Sequence, residues 1–188
     1  MKTICVYCAS STEIDKVYFD AAARLGQLIG EKNIRLVNGA GATGLMRVCT
    51  DAAMKAGGRT TGVIPQFMVE RGWQYDDMSE LIITKDMHER KQTMANLSDA
   101  SIALPGGCGT LEELLEIITW KQIGLYSNPI IILNTAGYYD QLIGMLETAV
   151  DKKFMKQEHL NLWNVADTPD KAIEIALEAW DRRSCIQY

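Results

Sequence analysis

Apolar residues in this chain gather in short runs, at residues 3–8, 34–38, 60–64, 81–84, 101–104 and 130–133. Runs of this length, rich in Ile, Val and Leu, are the pattern of strands buried on both faces of a parallel sheet. Between them helices are predicted over 15–30, 45–56, 87–98, 110–124, 138–152 and 169–183, with Gly57-Gly58 stopping the second of these. Strand and helix thus alternate along the chain. That alternation predicts an α/β fold, a single-domain Rossmann-like parallel sheet with helices on both faces, spanning residues 1–188. Ligands of such sheets bind beyond the carboxyl ends of the strands. Three loops fall there, at 9–12, 39–44 and 105–110. Residues 66–78 show no regular pattern, and no element is assigned to them.

Composition narrows the setting. With 188 residues, 47% hydrophobic and 23% charged, the chain reads as one globular domain. A net charge of −5 and a pI near 5.1 argue against a nucleic-acid partner or an anionic membrane surface, so any affinity for phosphate must be local. The amino terminus carries one basic residue and too short an apolar run for a signal peptide, and no segment approaches the ~20 apolar residues of a membrane span. A cytoplasmic location is expected. Five cysteines without framework spacing fit a reducing compartment. Cys5 and Cys8, three apart in a strand, face opposite sides and do not form a redox or metal pair.

The most informative stretch is Leu104-Pro105-Gly106-Gly107-Cys108-Gly109-Thr110-Leu111-Glu112-Glu113. A buried strand breaks at Pro105 into a glycine loop that opens a long helix. Gly106, Gly107 and Gly109 let backbone N–H groups converge where the helix starting near Thr110 aims its positive end, which makes an anion cradle. Leu111, Leu114, Leu115 and Ile118 read as the core stripe, with Glu112, Glu113 and Glu116 on the other side. Two readings of these acids stay open. Either a carboxylate addresses a sugar on a ligand whose phosphate sits in the loop, or the acids only complement the helix dipole.

Two further features carry chemistry. On the helix at 87–97, Arg90 and Lys91 fall among Met87, Met94 and Leu97 rather than with the wet positions His88, Glu89 and Gln92. Either their long stems snorkel past the apolar side or a buried anion meets them. Gly39-Ala40-Gly41-Ala42-Thr43-Gly44 matches G-x-G-x-x-G, but the strand that follows ends Gly62-Val63-Ile64-Pro65 without the acid a dinucleotide's ribose requires. A mononucleotide loop or a plain turn remains. Neither glycine loop is followed by Lys-Ser or Lys-Thr, which excludes a P-loop NTPase. Cys108 reads as a small residue that fits its loop, His88 as a polar-face residue and His159 as a cap or surface residue.

Met87-His88-Glu89-Arg90-Lys91 together with Pro105-Gly106-Gly107-Cys108-Gly109-Thr110-Leu111-Glu112-Glu113 resembles the Lonely Guy (LOG) family, the cytokinin riboside 5′-monophosphate phosphoribohydrolases, whose signature is P-G-G-x-G-T-x-x-E. The resemblance extends through Gly44-Leu45-Met46, Gly62-Val63-Ile64-Pro65, Ile118-Thr119-Trp120 and 134–140. It implies a Rossmann-like homodimer that hydrolyses the N-glycosidic bond of cytokinin riboside 5′-monophosphates or AMP, releasing free base and ribose 5-phosphate, with no metal or redox cofactor. By resemblance, the catalytic residues are Arg90 and Glu113, with Lys91, Gly106, Gly107, Gly109, Thr110, Glu112 and Thr119 contacting the substrate. Arg90 is expected to hold Glu113 in its charged form. Asn38-Gly39-Ala40-Gly41 replaces the family's Tyr-Gly-Gly-Gly, and no acid stands near Gly72 closer than Glu70. These departures bear on the choice of base. The alternatives are a non-catalytic nucleotide-binding protein of the same fold and, since relatives have been called lysine decarboxylases, a pyridoxal phosphate enzyme. A second apolar set, Ile117, Trp120 and Ile123, predicts a dimer face on the helix after the loop.

Overall fold

The computed structural model describes residues 1–185, with side chains to Asp181 and Arg182. Its frame is one parallel sheet of seven strands in the order β4-β3-β2-β1-β5-β6-β7. The strands are β1 (Thr3–Tyr7), β2 (Arg35–Asn38), β3 (Thr60–Pro65), β4 (Glu80–Thr84), β5 (Ala100–Ala103), β6 (Ile130–Leu133) and β7 (Asn164–Ala166). Helices α1 (Lys16–Glu31), α2 (Gly44–Lys55), α3 (Gln66–Val69), α4 (Met87–Leu97), α5 (Cys108–Gln122), α6 (Asp140–Asp151) and α7 (Pro169–Cys185) connect them. The chain steps outward from β1 to β4, then returns to place β5 on the other side of β1. Connections from β1 and β5 therefore leave in opposite directions, and a crevice opens between their carboxyl ends.

Alternate strand residues enter opposite cores, and strands β1, β3, β5 and β6 are buried at every position, as a sheet covered on both faces requires. Ile4, Val6, Leu36, Ile102 and Leu133 pack under α1, α2 and α7. Cys5, Tyr7, Val37, Ala103 and Ile132 pack on the opposite face with Met94 of α4 and Leu114, Ile117 and Ile118 of α5. Cys5 and Cys8 indeed lie in different cores, and the described cysteines Cys5, Cys8, Cys49 and Cys108 are free. The side chain of Cys185 lies outside the described residues. Helices α1 and α2 meet closely because Gly26 and Gly30 leave no Cβ between them. A methyl on Gly26 would collide with the Cys49 carbonyl, and one on Gly30 with that of Ala53.

The structure adds what the sequence pattern did not carry. Strand β7 escapes prediction because it has three residues, two of them exposed, on a sheet edge. Residues 66–78 form the short helix α3, and Gln74 then bridges antiparallel to Gly41. Tyr75 and Met78 bury a small apolar cluster with Ala40 and Ile64. No described helix is long and apolar enough to cross a membrane.

Candidate functional site

The carboxyl edge of the sheet is joined by a few backbone bonds around Ala9, just past β1. Its N–H donates to the Pro105 carbonyl at 3.2 Å, and its carbonyl accepts from Leu45 N–H at 2.9 Å. Thr43 adds a hydroxyl bond to the Ser10 carbonyl at 2.8 Å. The loops after β1, β2 and β5 are thus one connected rim.

In the loop after β5, Gly107 is the N-cap of α5 and no side chain caps it. Helix α5 starts at Cys108, two residues before the predicted Thr110, so the N–H groups of its first turn look out from the glycine loop. The glycines divide by role. Gly106 is bare because Thr110 is tucked against it, and Thr110 is buried. At Gly107 and Gly109 an added Cβ would meet nothing in the protein, although both belong to the predicted cradle. The fold does not demand glycine there. What their bareness preserves is open access to the helix's positive end, the arrangement an anion needs. Cys108 is exposed in the same turn.

Behind the loop lies a buried ion pair. On α4, Arg90 is 7% exposed and donates Nε to the Val63 carbonyl at 3.0 Å and Nη2 to the Gly39 carbonyl at 3.4 Å. Its Nη1 stands 3.6 Å from Glu113 Oε1, and the Glu113 side chain is 11% exposed. Gly39 is bare because the guanidinium lies against it. Gly44 has φ +62° and faces the Ser10 backbone. Within the G-x-G-x-x-G segment, then, Gly39 makes room for Arg90, Gly41 for Met46 and Gly44 for the rim.

Burial dominates Glu113. Burial, helped by the neighbouring Glu112 and Glu116, outweighs the downward pull of Arg90 and Lys91 and leaves the carboxyl at about 7 in place of 4.5. The expectation that Arg90 holds this acid fully ionised is corrected, because desolvation outweighs one guanidinium at 3.6 Å. Glu113 exchanges a proton near neutrality, the range in which a carboxyl works as acid or base. Lys91, also buried, is held between Glu112 and Glu116 Oε1, the latter at 3.0 Å. Burial opposes its charge, but these two hydrogen bonds prevail and raise its pKa. Tyr7, Lys91, Glu113, Glu116, Ile117 and Trp120 line a small pocket here.

Other expectations shift in detail. The wet and dry sides of α4 fall as predicted, with Arg90, Lys91 and Met94 buried and His88, Glu89 and Gln92 exposed. On α5 the predicted stripe is rotated: Leu115 is 39% exposed, and the inner side carries Leu114, Ile117, Ile118 and Glu113 itself. Ile117 belongs to the core, so it does not form the predicted dimer face; Ile123 is exposed and Trp120 packs partly against the core. Thr119 is exposed, its hydroxyl bonded to the Leu115 carbonyl of its own helix, and the structure does not bring it to the Arg90–Glu113 pair. His159 caps a 3-10 turn, accepting from Lys156 N–H at 3.1 Å. Among the described residues, no three His, Cys, Asp or Glu side chains could together hold a metal. The carbonyls of Val63 and Gly39 that seat Arg90 carry no side-chain signal. Tyr138 and Tyr139, which bind the carbonyls of Gly106 and Leu104 at 2.6 and 2.7 Å, read in sequence only as part of a matching stretch.

Residues 46–176 match the family described as "Possible lysine decarboxylase". A probable cytokinin riboside 5′-monophosphate phosphoribohydrolase of Oryza sativa subsp. japonica is 42% identical over 182 residues, covering 97% of this chain and 72% of that protein. A cytokinin riboside 5′-monophosphate phosphoribohydrolase of Arabidopsis thaliana is 45% identical over 154 residues, 82% of this chain and 72% of its own length. Among solved structures, the Moco carrier protein of Chlamydomonas superposes with a TM-score of 0.74 at 22% identity, covering 96% of this chain and 98% of that one. At that identity the match speaks for the fold alone.

Proposed function

The chain belongs to the Lonely Guy (LOG) family of cytokinin riboside 5′-monophosphate phosphoribohydrolases, and we propose that its buried Arg90–Glu113 pair is the catalytic centre. The reaction is hydrolysis of the N-glycosidic bond of cytokinin riboside 5′-monophosphates or AMP, yielding free base and ribose 5-phosphate. The observation that carries the site is a carboxyl with a pKa near 7, buried beside a guanidinium and one turn behind an uncapped glycine-loop helix.

In the proposed mechanism the 5′-phosphate lies on the N–H groups of Gly107, Cys108 and Gly109, with Gly106 and Thr110 shaping the turn beneath them. Phosphate binding fixes the ribose over Glu113, so binding energy far from the reacting bond serves the chemistry. As the C1′–N9 bond breaks, its electron pair leaves with the base and positive charge grows on the ribose ring. The Glu113 carboxylate balances that charge and takes a proton from the water that attacks C1′; the oxygen of that water stays on C1′, and the proton passes on through solvent to the departing base, which restores the carboxylate. Arg90, anchored by two backbone carbonyls, steadies the carboxylate. Lys91 and Glu112 define the polar wall beside it, and Thr119 one face of α5 farther along.

The decarboxylase description of the family fits these residues poorly. A pyridoxal phosphate Schiff base needs a lysine amine that can lose its proton, whereas Lys91, the buried lysine among the described residues, is held as an ammonium by two carboxylates. Leu115, Ile123 and Leu125 leave an apolar surface along and just past α5, which supports a homodimer. The free buried cysteines support a cytoplasmic setting. The test is to supply AMP and N6-isopentenyl-AMP and follow base and ribose 5-phosphate. Wild type releases both, and Glu113→Gln loses turnover while still binding AMP. Tight AMP binding by wild type without ribose 5-phosphate would favour a non-catalytic nucleotide-binding protein.

A further inference from the structure

We propose that Tyr138 is a positioning residue for the phosphate cradle: its hydroxyl, bonded to the Gly106 carbonyl, turns the next peptide N–H toward the ligand. This rests on the reading of the glycine loop as the 5′-phosphate site. Tyr138 donates to Gly106 O at 2.6 Å although the residue is 43% exposed, so a hydroxyl with water within reach is turned onto the loop instead. A trans peptide points its C=O and N–H in opposite directions. Anchoring the Gly106 carbonyl toward Tyr138 therefore aims the Gly107 N–H away from it. Gly107 is the residue that caps α5 without a side-chain bond and whose Cβ position is open. Without the hydroxyl, two glycines in succession leave that peptide plane free to rotate.

The turn that delivers Tyr138 is itself rigid. After β6, Ala136 and Gly137 adopt φ of 54° and 71°, reversing the chain. Asn134 locks the reversal, accepting from Tyr139 N–H at 2.7 Å and donating to Asp140 at 2.7 Å. Tyr18 and Tyr139 hold the Tyr138 ring edge-on at 5.8 and 5.0 Å. Tyr139 offers an internal comparison: buried, one residue on, it donates to Leu104 O at the strand end rather than to a glycine of the loop.

The experiment compares wild type, Tyr138→Phe and Tyr139→Phe on a nucleoside 5′-monophosphate and on the corresponding nucleoside, with melting temperatures and inhibition by inorganic phosphate measured alongside. Phenylalanine keeps the ring contacts and removes only the oxygen. For Tyr138→Phe, kcat/KM for the nucleotide falls and Ki for phosphate rises about five- to tenfold, the worth of one hydrogen bond. Its preference for nucleotide over nucleoside falls by the same factor. Tyr139→Phe melts lower and keeps the wild-type preference. The proposal is overturned if Tyr138→Phe keeps that preference, or loses activity equally on both substrates. If wild type itself shows no preference for the nucleotide, it is the phosphate reading of the loop that fails.

Discussion

Replacing Glu113 with Gln should inactivate the enzyme and stabilise it at the same time, by an amount that depends on pH. In the folded chain burial raises this carboxyl from 4.5 to about 7. The folded state thus binds the proton more tightly than the unfolded state, and stability falls as pH rises from 4.5 through about 7. At about 1.36 kcal/mol for each tenfold in proton affinity, the fully ionised acid costs about 3 kcal/mol. Gln has the shape of the protonated acid and never pays that cost. Wild type and Glu113→Gln should therefore melt together near pH 4.5 and diverge above it. For a chain of this size the gap becomes roughly 6–12 °C by pH 8. Thermal unfolding at half-unit steps from pH 4.5 to 8.5 measures it. A variant that melts below wild type at pH 8, or a difference that does not change with pH, would refute the reasoning, because the buried carboxylate would then be well solvated by its neighbours.

Lys91→Met removes a charge that lowers the Glu113 pKa, so the limb of the kcat profile on which activity rises with pH should move to higher pH, read from initial rates across pH 5.5–9. Gly107→Asp adds a side chain where the fold has room but places a carboxylate on the uncapped helix end; the melting temperature should hold while KM for AMP rises at least about tenfold through like-charge repulsion. Gly26→Ala drives a methyl into the Cys49 carbonyl and should cost about 1–3 kcal/mol, typical of overpacking, in urea unfolding, with kcat unaltered in the molecules that remain folded.

The architecture was legible because strand runs and glycine stops are local. Residues 130–133 are read in sequence where the strand Ile130–Leu133 pairs with β5. So was the anomaly of α4, since helical geometry alone puts Arg90 and Lys91 on the inner side. The facing of α5 was not. Counting apolar residues assigns Leu115 inward and Glu113 outward, whereas a buried carboxylate breaks the rule on which such counting depends. Residues 66–78 were silent because their order comes from a distant partner: Ala42 N–H donates to Trp73 O and Tyr75 N–H to Ala40 O, contacts no local pattern encodes. The seats of Arg90 were silent for a simpler reason. Main-chain carbonyls of Val63 and Gly39 look the same whatever residues carry them.

The bonds at Ala9 have a consequence for motion. A residue that donates to one loop and accepts from another makes local opening of either a shared event. An anion seated at Gly107 should then slow amide hydrogen exchange at Ala9 and Leu45, which it never touches.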